Sequence, residues 1–390
     1  MQKVISTERL PIKMWLDEVE EGAIKQAKNL ANLPFAFKHV CLMPDTHEGY
    51  GMPIGGVLAT QGVIIPNAVG VDIGCGMCAV KTNIQTEMVS KEQLKQIMSG
   101  IRELVPLGFD HQKERQDDNL MPSGFNLDEL HVVKNQYLAA LKQIGTLGGG
   151  NHFIELQRSN EGYLWIMIHS GSRNLGKQVA DHYNRIAKKL NELWFSSVDA
   201  KADLAFLPFR ADEALHYYKE MRYCTEFAFA NRKLMMERIQ QVVSTILSAV
   251  DYEPIINIAH NYAAWEEHFG EKIVVHRKGA TSAKAGEIGI IPGSQGTKSY
   301  IVEGLGNPES FTSCSHGAGR VMSRSAAIRN LDLEEEKRKL DEQGIIHSIR
   351  GKSDLEEAAS AYKDISQVIA FQTDLVKIKV ELSPLAVIKG

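Results

Sequence analysis

The sequence has 390 residues with 44 basic and 48 acidic side chains, which give a formal net charge of −4. The length permits a large buried core, and the slightly acidic balance excludes a global basic field of the kind that marks many nucleic-acid-binding proteins. Any polyanion must therefore meet a local basic patch.

No segment approaches the roughly 18 consecutive apolar residues of a membrane span, and the first residues lack the apolar run of a signal peptide. The five cysteines are odd in number and sparse, which argues against a secreted disulfide framework and favours free thiols or metal ligands. We therefore expect a soluble, cytoplasmic protein with no membrane partner.

Two amphipathic helices are predicted in the first third of the chain. Residues 17–33 carry apolar side chains at helical spacing with Asp17 as the expected cap, and residues 90–105 repeat the pattern with Ser90 as cap. Short apolar runs bounded by turn residues predict strands beneath them. These runs are HVCLMP at 39–44, IGGVLATQGVII at 54–65, HFIEL at 152–156, YLWIMIH at 163–169 and PIINIAH at 254–260. Several contain a histidine at one end, where a strand would deliver it to one rim of a sheet.

The middle of the chain, roughly residues 174–250, is predicted to be a helical insertion that is broken near residues 195–209. Residues 109–126 form a long polar segment and are predicted to be a loop. No internal repeat, coiled-coil heptad or low-complexity tract is present. We therefore predict a single α+β domain over residues 1–390, with central β-sheets flanked by helices.

Five polar clusters share one design, in which a histidine lies beside small, flexible residues. They are MPDTHEGYG around His47, GTLGGGNHFIE around His152, IHSGSRNLG around His169, NIAHNYAAW around His260 and SCSHGAGR around His316. Each is weak evidence alone, because a histidine at a strand end is more often a satisfied rim or core residue than a ligand. Together with Asp72 and Cys75 they supply the thiolate, carboxylate and imidazoles that bind borderline metals such as Mn²⁺, Zn²⁺, Co²⁺ or Fe²⁺.

Asp72 and Cys75 lie in the glycine-rich stretch GVDIGCGMC at 70–78. Residues three apart point to opposite faces of a regular strand, so these two side chains can meet only in a loop, which Gly70, Gly74 and Gly76 permit. A thiolate can bridge two cations, and paired metals about 3.5–4 Å apart are a recurring device in phosphoryl transfer. The stretch therefore predicts a two-metal site.

CGMC is also a C-x-x-C pair, which leaves a thioredoxin-like redox couple or half a structural zinc site as alternatives. The redox couple requires a helix start, whereas the strand-like IGCGMCAVKT continues through the pair, and no second C-x-x-C completes a zinc site. Cys78 is then expected to be a small buried hydrophobic residue.

SCSHGAGR differs from the other clusters because residues 320–329, RVMSRSAAIR, are predicted to form a helix that starts beside it. The first amides of that helix and Arg320 would favour phosphate, and an imidazole on a phosphate site invites nucleophilic catalysis through a phosphoramidate. A helix-capping or metal-binding role for His316 is the alternative.

Residues 277–300 supply four further cations, Arg277, Lys278, Lys284 and Lys298. They could surround a polyanion, but charge alone favours a solvated surface hairpin.

In combination these motifs resemble the RtcB-type RNA ligases, which join RNA ends using GTP. The resemblance runs in order from IKMW at 12–15 to AVIKG at 386–390, and its most specific strings are GVDIGCGM, GGGNHFIE, HSGSRNLG, RKGA, IPGS and SHGAGR. It implies two Mn²⁺ ions held by Asp72, Cys75, His152, His169 and His260. By analogy Cys75 bridges, with His152 and His169 on one ion and Asp72 and His260 on the other.

The resemblance also implies that His316 is the nucleophile, which attacks the GTP α-phosphorus and forms a histidine–GMP intermediate with loss of pyrophosphate. The implied guanylate contacts are Asn151, His152, Phe153, Ile154, Glu155, His260, Asn261, Pro292, Gly293, Ser294, Gln295, Ser299, His316, Gly317, Ala318, Gly319 and Lys389. GMP then passes to an RNA 3′-phosphate, and the 5′-hydroxyl of another RNA end expels it. A 2′,3′-cyclic phosphate is opened first.

Two departures from the family pattern concern the substrates. Gln295 stands at a position of the implied guanylate pocket where family members often carry methionine. The string DTHEGYG at 45–51 differs from the family pattern at a place where contacts with RNA ends are expected. Neither removes a metal ligand or the nucleophile, so we expect an active enzyme. The expected partners are RNA and an archease-like activator, and nothing in the sequence demands more than a monomer.

Two other functions fit part of the pattern. A dinuclear metallophosphoesterase without guanylylation could use the same metal ligands, and a catalytically silent RNA-binding protein would retain RNA without joining it. The intact ligand set argues against the silent protein.

Overall fold

The computed structural model describes residues 1–390, which form nine α-helices and 17 strands. The helices are α1 (Glu21–Ala31), α2 (Pro66–Val69), α3 (Lys91–Leu104), α4 (His131–Gln143), α5 (Arg173–Leu193), α6 (Asp212–Ile246), α7 (Arg324–Asn330), α8 (Leu333–Glu342) and α9 (Ile365–Ala370). The strands are β1 (Lys3–Ile5), β2 (Ile12–Met14), β3 (Ala36–His47), β4 (Ile54–Thr60), β5 (Val63–Ile64), β6 (Gly76–Gln85), β7 (Phe153–Ser159), β8 (Tyr163–Ser170), β9 (Leu207–Pro208), β10 (Ile256–Ala259), β11 (Asn261–His268), β12 (Glu271–Lys278), β13 (Ala280–Ser282), β14 (Ile288–Ile291), β15 (Ser299–Gly304), β16 (Ser313–Ser315) and β17 (Val376–Lys389).

Two large sheets carry most of the strands. One has six strands in the order β1-β2-β3-β4-β12-β11, and the other has seven in the order β10-β6-β8-β7-β17-β15-β14. Neighbouring strands are antiparallel except for β2 and β3. Helices α3 and α6 pack on the seven-stranded sheet and α1 packs on β3, each burying its apolar side chains. The α+β class predicted from the sequence is therefore confirmed, whereas the single domain over residues 1–390 stays a prediction.

Helix positions follow the sequence closely where a local signal exists. Helix α3 begins after Ser90, whose hydroxyl accepts from the Gln93 backbone N–H at 3.2 Å while the Gln93 side chain accepts from the Ser90 N–H at 2.9 Å. This reciprocal pair satisfies two backbone donors that the helix itself leaves free. Helices α5 and α6 confirm the predicted helical middle, with the break at residues 195–209. No helix of the protein has the length and apolar character that crossing a membrane would require.

Two predicted helix starts are wrong. Helix α1 starts at Glu21 rather than after Asp17, because the chain first buries Trp15 and Leu16 beside the six-stranded sheet. Helix α7 starts at Arg324, capped by Ser323, and not at Arg320. Arg320 instead forms a β-bridge with Tyr362, which holds this part of the chain extended.

The predicted strand over residues 54–65 is two strands, since the chain turns at Gly62 with a positive φ of 64° and β5 pairs with β9. The surface-hairpin interpretation of residues 277–300 holds only in part. Lys298 is on the surface and pairs with Glu381, but Arg277 is fully buried and forms an ion pair with Glu266 of the neighbouring strand.

The glycines of the stretch GVDIGCGMC have different roles. Gly70 and Gly74 have φ values of 92° and 72°, a left-handed conformation that glycine adopts without a steric penalty. Gly76 has no such backbone, but it pairs with Ala259 of β10, and a side chain on it would overlap the Ile258 carbonyl oxygen. Two glycines shape the loop, and the third allows two strands to approach.

The close approach at Gly76 makes a stability prediction. Gly76→Ala should lower the free energy of unfolding by about 1–3 kcal/mol, because the new methyl group overlaps backbone and not a movable side chain. Urea denaturation followed by circular dichroism measures the change. Gly351→Ala is the matched control, since Gly351 has a φ of −137° and its nearest neighbour to an added methyl is Ser353 Oγ at 3.9 Å. Equal stability of the two variants would contradict the interpretation.

Candidate metal and nucleotide site

Four neighbouring strands of the seven-stranded sheet deliver the predicted sulfur and imidazole ligands to one rim. His260 directly follows β10, Cys75 directly precedes β6, His169 lies near the end of β8, and His152 directly precedes β7. Because the strands are antiparallel and in register, with Gly76 opposite both Ala259 and Ser170, these ends lie at the same level. The expectation that strand ends bring histidines to one rim is confirmed.

The ligand atoms form two groups that share the sulfur of Cys75. Asp72, Cys75 and His152 make one group, and Cys75, His169 and His260 make the other, with all ligand atoms of a group within 4.8 Å of one another. The Cys75 Sγ lies 3.5 Å from His152 Nε2 and 3.3 Å from His169 Nε2. The shared sulfur agrees with the expected bridge, but the division differs from the one implied by the family. His152 lies with Asp72, at 3.3 Å, and His169 lies with His260, also at 3.3 Å.

The protonation of His169 fits a cation at this point. Its Nδ1 faces the Asn151 carbonyl at 3.1 Å, and since a carbonyl can only accept, Nδ1 carries the proton and Nε2 has a free lone pair. Burial lowers the pKa of both His169 and His260 well below the usual range, so both rings are neutral. The lone pair on His169 Nε2 thus faces the Cys75 sulfur and His260 Nε2, a set of donors that a divalent cation can bind.

Arg173 contacts the other end of the site and was not predicted, although it lies in the string HSGSRNLG. Its guanidinium Nη1 lies 3.2 Å from His152 Nδ1, and the side chain is wedged beside Gly148, where any side chain would overlap it. A guanidinium can only donate, so Nδ1 accepts and the His152 proton sits on Nε2, facing Asp72. A cation that binds at His152 Nε2 therefore requires the other tautomer, in which the proton lies on Nδ1 and Arg173 no longer donates to that nitrogen.

His316 is held by a buried carboxylate that sequence reasoning missed. Its Nδ1 lies 2.6 Å from Asp45 Oδ2, and the same oxygen accepts the backbone N–H groups of His316 at 3.0 Å and of Gly317 at 3.2 Å. With the Nδ1 proton donated to Asp45, Nε2 keeps the lone pair that a nucleophile needs. The ring also packs against that of His260, with centroids 4.8 Å apart. The signal for Asp45 was its place at the end of a predicted strand in MPDTHEGYG, where attention fell on His47.

His47 lies apart from the metal ligands. It lines the cavity described next, its Nδ1 lies 3.1 Å from the Asp45 carbonyl oxygen, and burial lowers its pKa to about 4. It is therefore a neutral wall residue and not a ligand.

A cavity of about 600 Å³ opens beside these groups. Most predicted guanylate contacts line it, and these are Asn151, Phe153, Pro292, Gly293, Ser294, Gln295, His316, Gly317, Ala318, Gly319 and Lys389. Ile154 does not, because its side chain lies in the apolar core on the opposite face of β7. Ser299 and Asn261 lie outside the lining and support the site: Ser299 Oγ accepts from the Gly293 N–H at 3.2 Å, and the Asn261 amide donates to the Asp72 carbonyl at 3.0 Å.

A local basic patch lies in the cavity wall. Because the net charge of the chain is negative, a polyanion could bind only at such a patch. Arg320 Nη1 and Arg324 Nε each lie 3.2 Å from Glu357 Oε1, and Lys389 Nζ lies 3.9 Å from Glu357 Oε2. Tyr362 also donates its hydroxyl to this carboxylate. Glu357 and Tyr362 were not predicted, and no local pattern marks them, since they come from a segment far along the chain. The predicted helix start beside Arg320 is wrong, because α7 begins four residues later and Ser323 caps it, whereas the phosphate site predicted there stays a prediction.

The floor of the cavity combines an aromatic face and an amine, and a buried carboxylate outside the cavity lining lies close enough to act on that amine. Phe153 and Lys389 are paired across β7 and β17, with the Lys389 Nζ 5.3 Å from the centre of the Phe153 ring. Glu155 follows two residues after Phe153 on the same face of β7 and is buried. Burial raises the pKa of Glu155 to about 7 and lowers the pKa of Lys389. Guanine presents N–H donors beside the O6 acceptor, which matches an adjacent carboxylate and amine.

Comparison with known proteins gives the family. The model of a family described as "tRNA-splicing ligase RtcB" matches residues 26–390. The protein named "RNA-splicing ligase RtcB" of Escherichia coli (strain K12) is 39% identical over 410 aligned residues, covering 100% of this chain and 99% of the relative. The proteins named "tRNA-splicing ligase RtcB" of Thermococcus kodakarensis and Nanoarchaeum equitans are 31% and 34% identical, covering 98% and 95% of this chain and 95% and 92% of the relatives. The chain therefore belongs to the RtcB family.

Proposed function

We propose that the protein is a GTP-dependent RNA ligase that joins RNA 3′-phosphate or 2′,3′-cyclic phosphate ends to 5′-hydroxyl ends through a histidine–GMP intermediate on His316. The observation that carries the proposal is the geometry of His316. Asp45 fixes its tautomer, the ring of the metal-ligand candidate His260 packs on it, and it lines a cavity whose floor suits guanine. The names of the relatives, RNA-splicing and tRNA-splicing ligases, support the substrate class.

Two divalent cations fit the donor set, and Mn²⁺ is the ion we propose. Asp72, Cys75 and His152 would hold one, and Cys75, His169 and His260 the other. When bound, the ions supply positive charge that neutralises the phosphates and orients them.

The first step is the attack of His316 Nε2 on the α-phosphorus of GTP. A nitrogen–phosphorus bond forms, and the bond from the α-phosphorus to the bridging oxygen breaks, releasing pyrophosphate. Positive charge develops on the imidazole, and the Asp45 carboxylate at 2.6 Å stabilises it without taking the proton. Arg320, Arg324 and Lys389 are the cations available to the polyphosphate, and Glu357 must release them as the nucleotide enters.

The second and third steps transfer GMP and then expel it. An oxygen of the RNA 3′-phosphate attacks the phosphorus bound to His316, the nitrogen–phosphorus bond breaks, and the RNA ends in a diphosphate linked to guanosine. The 5′-hydroxyl oxygen of the second RNA end attacks the former 3′-phosphate and expels GMP, which leaves a 3′,5′-phosphodiester. A 2′,3′-cyclic phosphate is hydrolysed to the 3′-phosphate beforehand.

RNA with these ends is the proposed partner, while an archease-like activator, a monomeric state and a cytoplasmic location stay predictions.

The histidine–GMP intermediate is tested by labelling. Incubation with α-³²P-GTP and Mn²⁺ should give an acid-labile, base-stable protein adduct, which His316→Ala abolishes. Asp45→Asn should slow its formation by at least about 100-fold, because the amide cannot stabilise the imidazolium charge.

The alternatives give different results in the same assay. A metallophosphoesterase releases phosphate from RNA ends with no adduct, and a silent RNA-binding protein retains RNA without joining it. Ligation of RNA halves with 2′,3′-cyclic phosphate and 5′-hydroxyl ends, with and without GTP, separates all three, and joining without GTP would contradict the proposal.

The shared sulfur predicts the metal content of single variants. Wild-type protein that is loaded with Mn²⁺ and dialysed should hold two ions per chain, and elemental mass spectrometry measures this metal content. His152→Ala and His260→Ala should each retain about one, since each removes a ligand from one group only, whereas Cys75→Ala should weaken both sites. Loss of a single ion in Cys75→Ala would show that the sulfur is not shared.

The pKa of Glu155 predicts a pH dependence of nucleotide binding. The ionised carboxylate can accept both N–H donors of guanine, whereas the protonated acid keeps one acceptor oxygen and turns the other into a donor. Because the pKa of Glu155 is about 7, affinity should rise with pH through neutrality. GMP should bind about tenfold more weakly at pH 6 than at pH 8 by isothermal titration calorimetry. Glu155→Gln should bind weakly at both values. A variant that keeps the wild-type pH dependence would assign the titration to another group.

A further inference from the structure

Tyr50 is the one large aromatic side chain that lines the cavity and is mostly exposed. Its exposed fraction is 81%, and its hydroxyl makes no hydrogen bond. Single exposed aromatic residues are ordinary on protein surfaces, so exposure alone assigns no role. The backbone that carries this side chain, however, is held unusually firmly.

Two buried contacts fix the main chain at Tyr50. The Lys278 ammonium is buried and donates to the Tyr50 carbonyl at 2.6 Å, and the Met52 N–H donates to the same oxygen at 2.8 Å. One residue earlier, the Gln26 side chain both donates to the Gly49 carbonyl at 2.5 Å and accepts from the Gly49 N–H at 3.1 Å. Burying an ammonium is costly unless its hydrogen bonds are made, and Lys278 makes two, to the carbonyls of Tyr50 and Asn67, which join the Tyr50 backbone to helix α2. The side chain is thus free while its attachment point is rigid.

The position of Tyr50 separates it from the proposed guanine floor. Tyr50 belongs to the connection between β3 and β4 of the six-stranded sheet, whereas Phe153 and Lys389 belong to the seven-stranded sheet. His316, held by Asp45 of β3, lies between these walls. Tyr50 therefore stays available to a second substrate while GMP fills the guanine floor.

The charges beside Tyr50 select which part of an RNA can lie there. Glu20 and Glu48 line the same part of the cavity, and Glu20 Oε2 accepts from the Glu48 N–H at 3.4 Å. Carboxylates repel a phosphate backbone but tolerate a neutral base, whose exocyclic amines can donate to them. An aromatic ring on a rigid backbone offers a face on which any base stacks.

We propose that Tyr50 is a stacking platform for the terminal base of the RNA end that enters the site, and so a positioning residue for the RNA and not for GTP. The proposal rests on the proposed function and extends it to the placement of the second substrate. Stacking holds the nucleotide next to the reacting phosphate, so it affects RNA affinity more than nucleotide affinity.

The test uses single-stranded RNA with a 3′-phosphate and 2-aminopurine as its terminal base, whose fluorescence is quenched by stacking. Wild-type protein should quench it, and Tyr50→Ala should remove the quenching and weaken RNA binding about tenfold or more. Tyr50→Phe and Tyr50→Trp should retain both, because the ring and not the hydroxyl does the stacking. Phe195→Ala is the matched control, since Phe195 is 94% exposed and lies outside the cavity, and it should behave as wild type.

The KM values separate stacking from a general disturbance of the site. In ligation, Tyr50→Ala should raise the KM for RNA about tenfold more than the KM for GTP. An equal rise in both KM values would overturn the proposal, and so would fluorescence quenching by Tyr50→Ala as strong as that by the wild type. Failure of the wild-type protein to form the GMP adduct or to join RNA would instead refute the proposed function. If the wild-type protein joins RNA and the Tyr50→Ala variant binds RNA with unchanged affinity, the role of Tyr50 is refuted while the proposed function stands.

Discussion

The approach of strand β10 to strand β6 at Gly76 is the constraint on which the site depends. The two backbones lie too close there for any side chain, and the His260 N–H donates to the Cys75 carbonyl at 2.8 Å. This contact brings the imidazole of one strand end against the sulfur of the next. Strand β8 pairs with the other edge of β6 and places His169 at the same level, so a single ladder of backbone hydrogen bonds sets the spacing of three ligand atoms. The spacing of the sulfur and imidazole candidates is thus set by strand register, which is rigid, whereas the candidate Asp72 comes from the loop before β6.

The cavity beside this rim concentrates buried charge in a chain whose net charge is acidic. Asp45 is fully buried, and one of its oxygens holds three N–H groups while the other has no partner. Glu357 in turn neutralises the cations of the basic patch. A buried carboxylate without full compensation is costly, and such groups persist where a reaction uses their field. In the function that we propose, the two acids have opposite uses: Asp45 would stabilise the charge that develops on His316, and Glu357 would bind the cations until a polyphosphate replaces it.

The sequence predicted what depends on local pattern and missed what depends on pairing between distant segments. Ser90 was placed correctly because a capping box is complete within four residues, and the ligand-bearing strand ends were recognised because each carries its histidine beside its own apolar run. Asp45 was missed because its role exists only when β3 meets a segment about 270 residues later. Arg277 was taken for a surface charge because its partner Glu266 lies on the neighbouring strand, and the helix expected at Arg320 gave way to a bridge with Tyr362, which no helical propensity reveals.

The ring of His260 packs between that of the candidate metal ligand His169 and that of His316, the nucleophile that we propose. His169 is oriented by the Asn151 carbonyl, but the Nδ1 of His260 is buried without a hydrogen-bond partner. The orientation of the His260 ring therefore depends on its packing between His169 and His316, whose ring centres lie 5.2 and 4.8 Å away, and on whatever its Nε2 binds. A cation at that nitrogen would fix the ring where a hydrogen bond does not, and the fixed ring would in turn hold the face of His316. In the function that we propose, metal binding and the orientation of His316 would therefore be coupled through one imidazole.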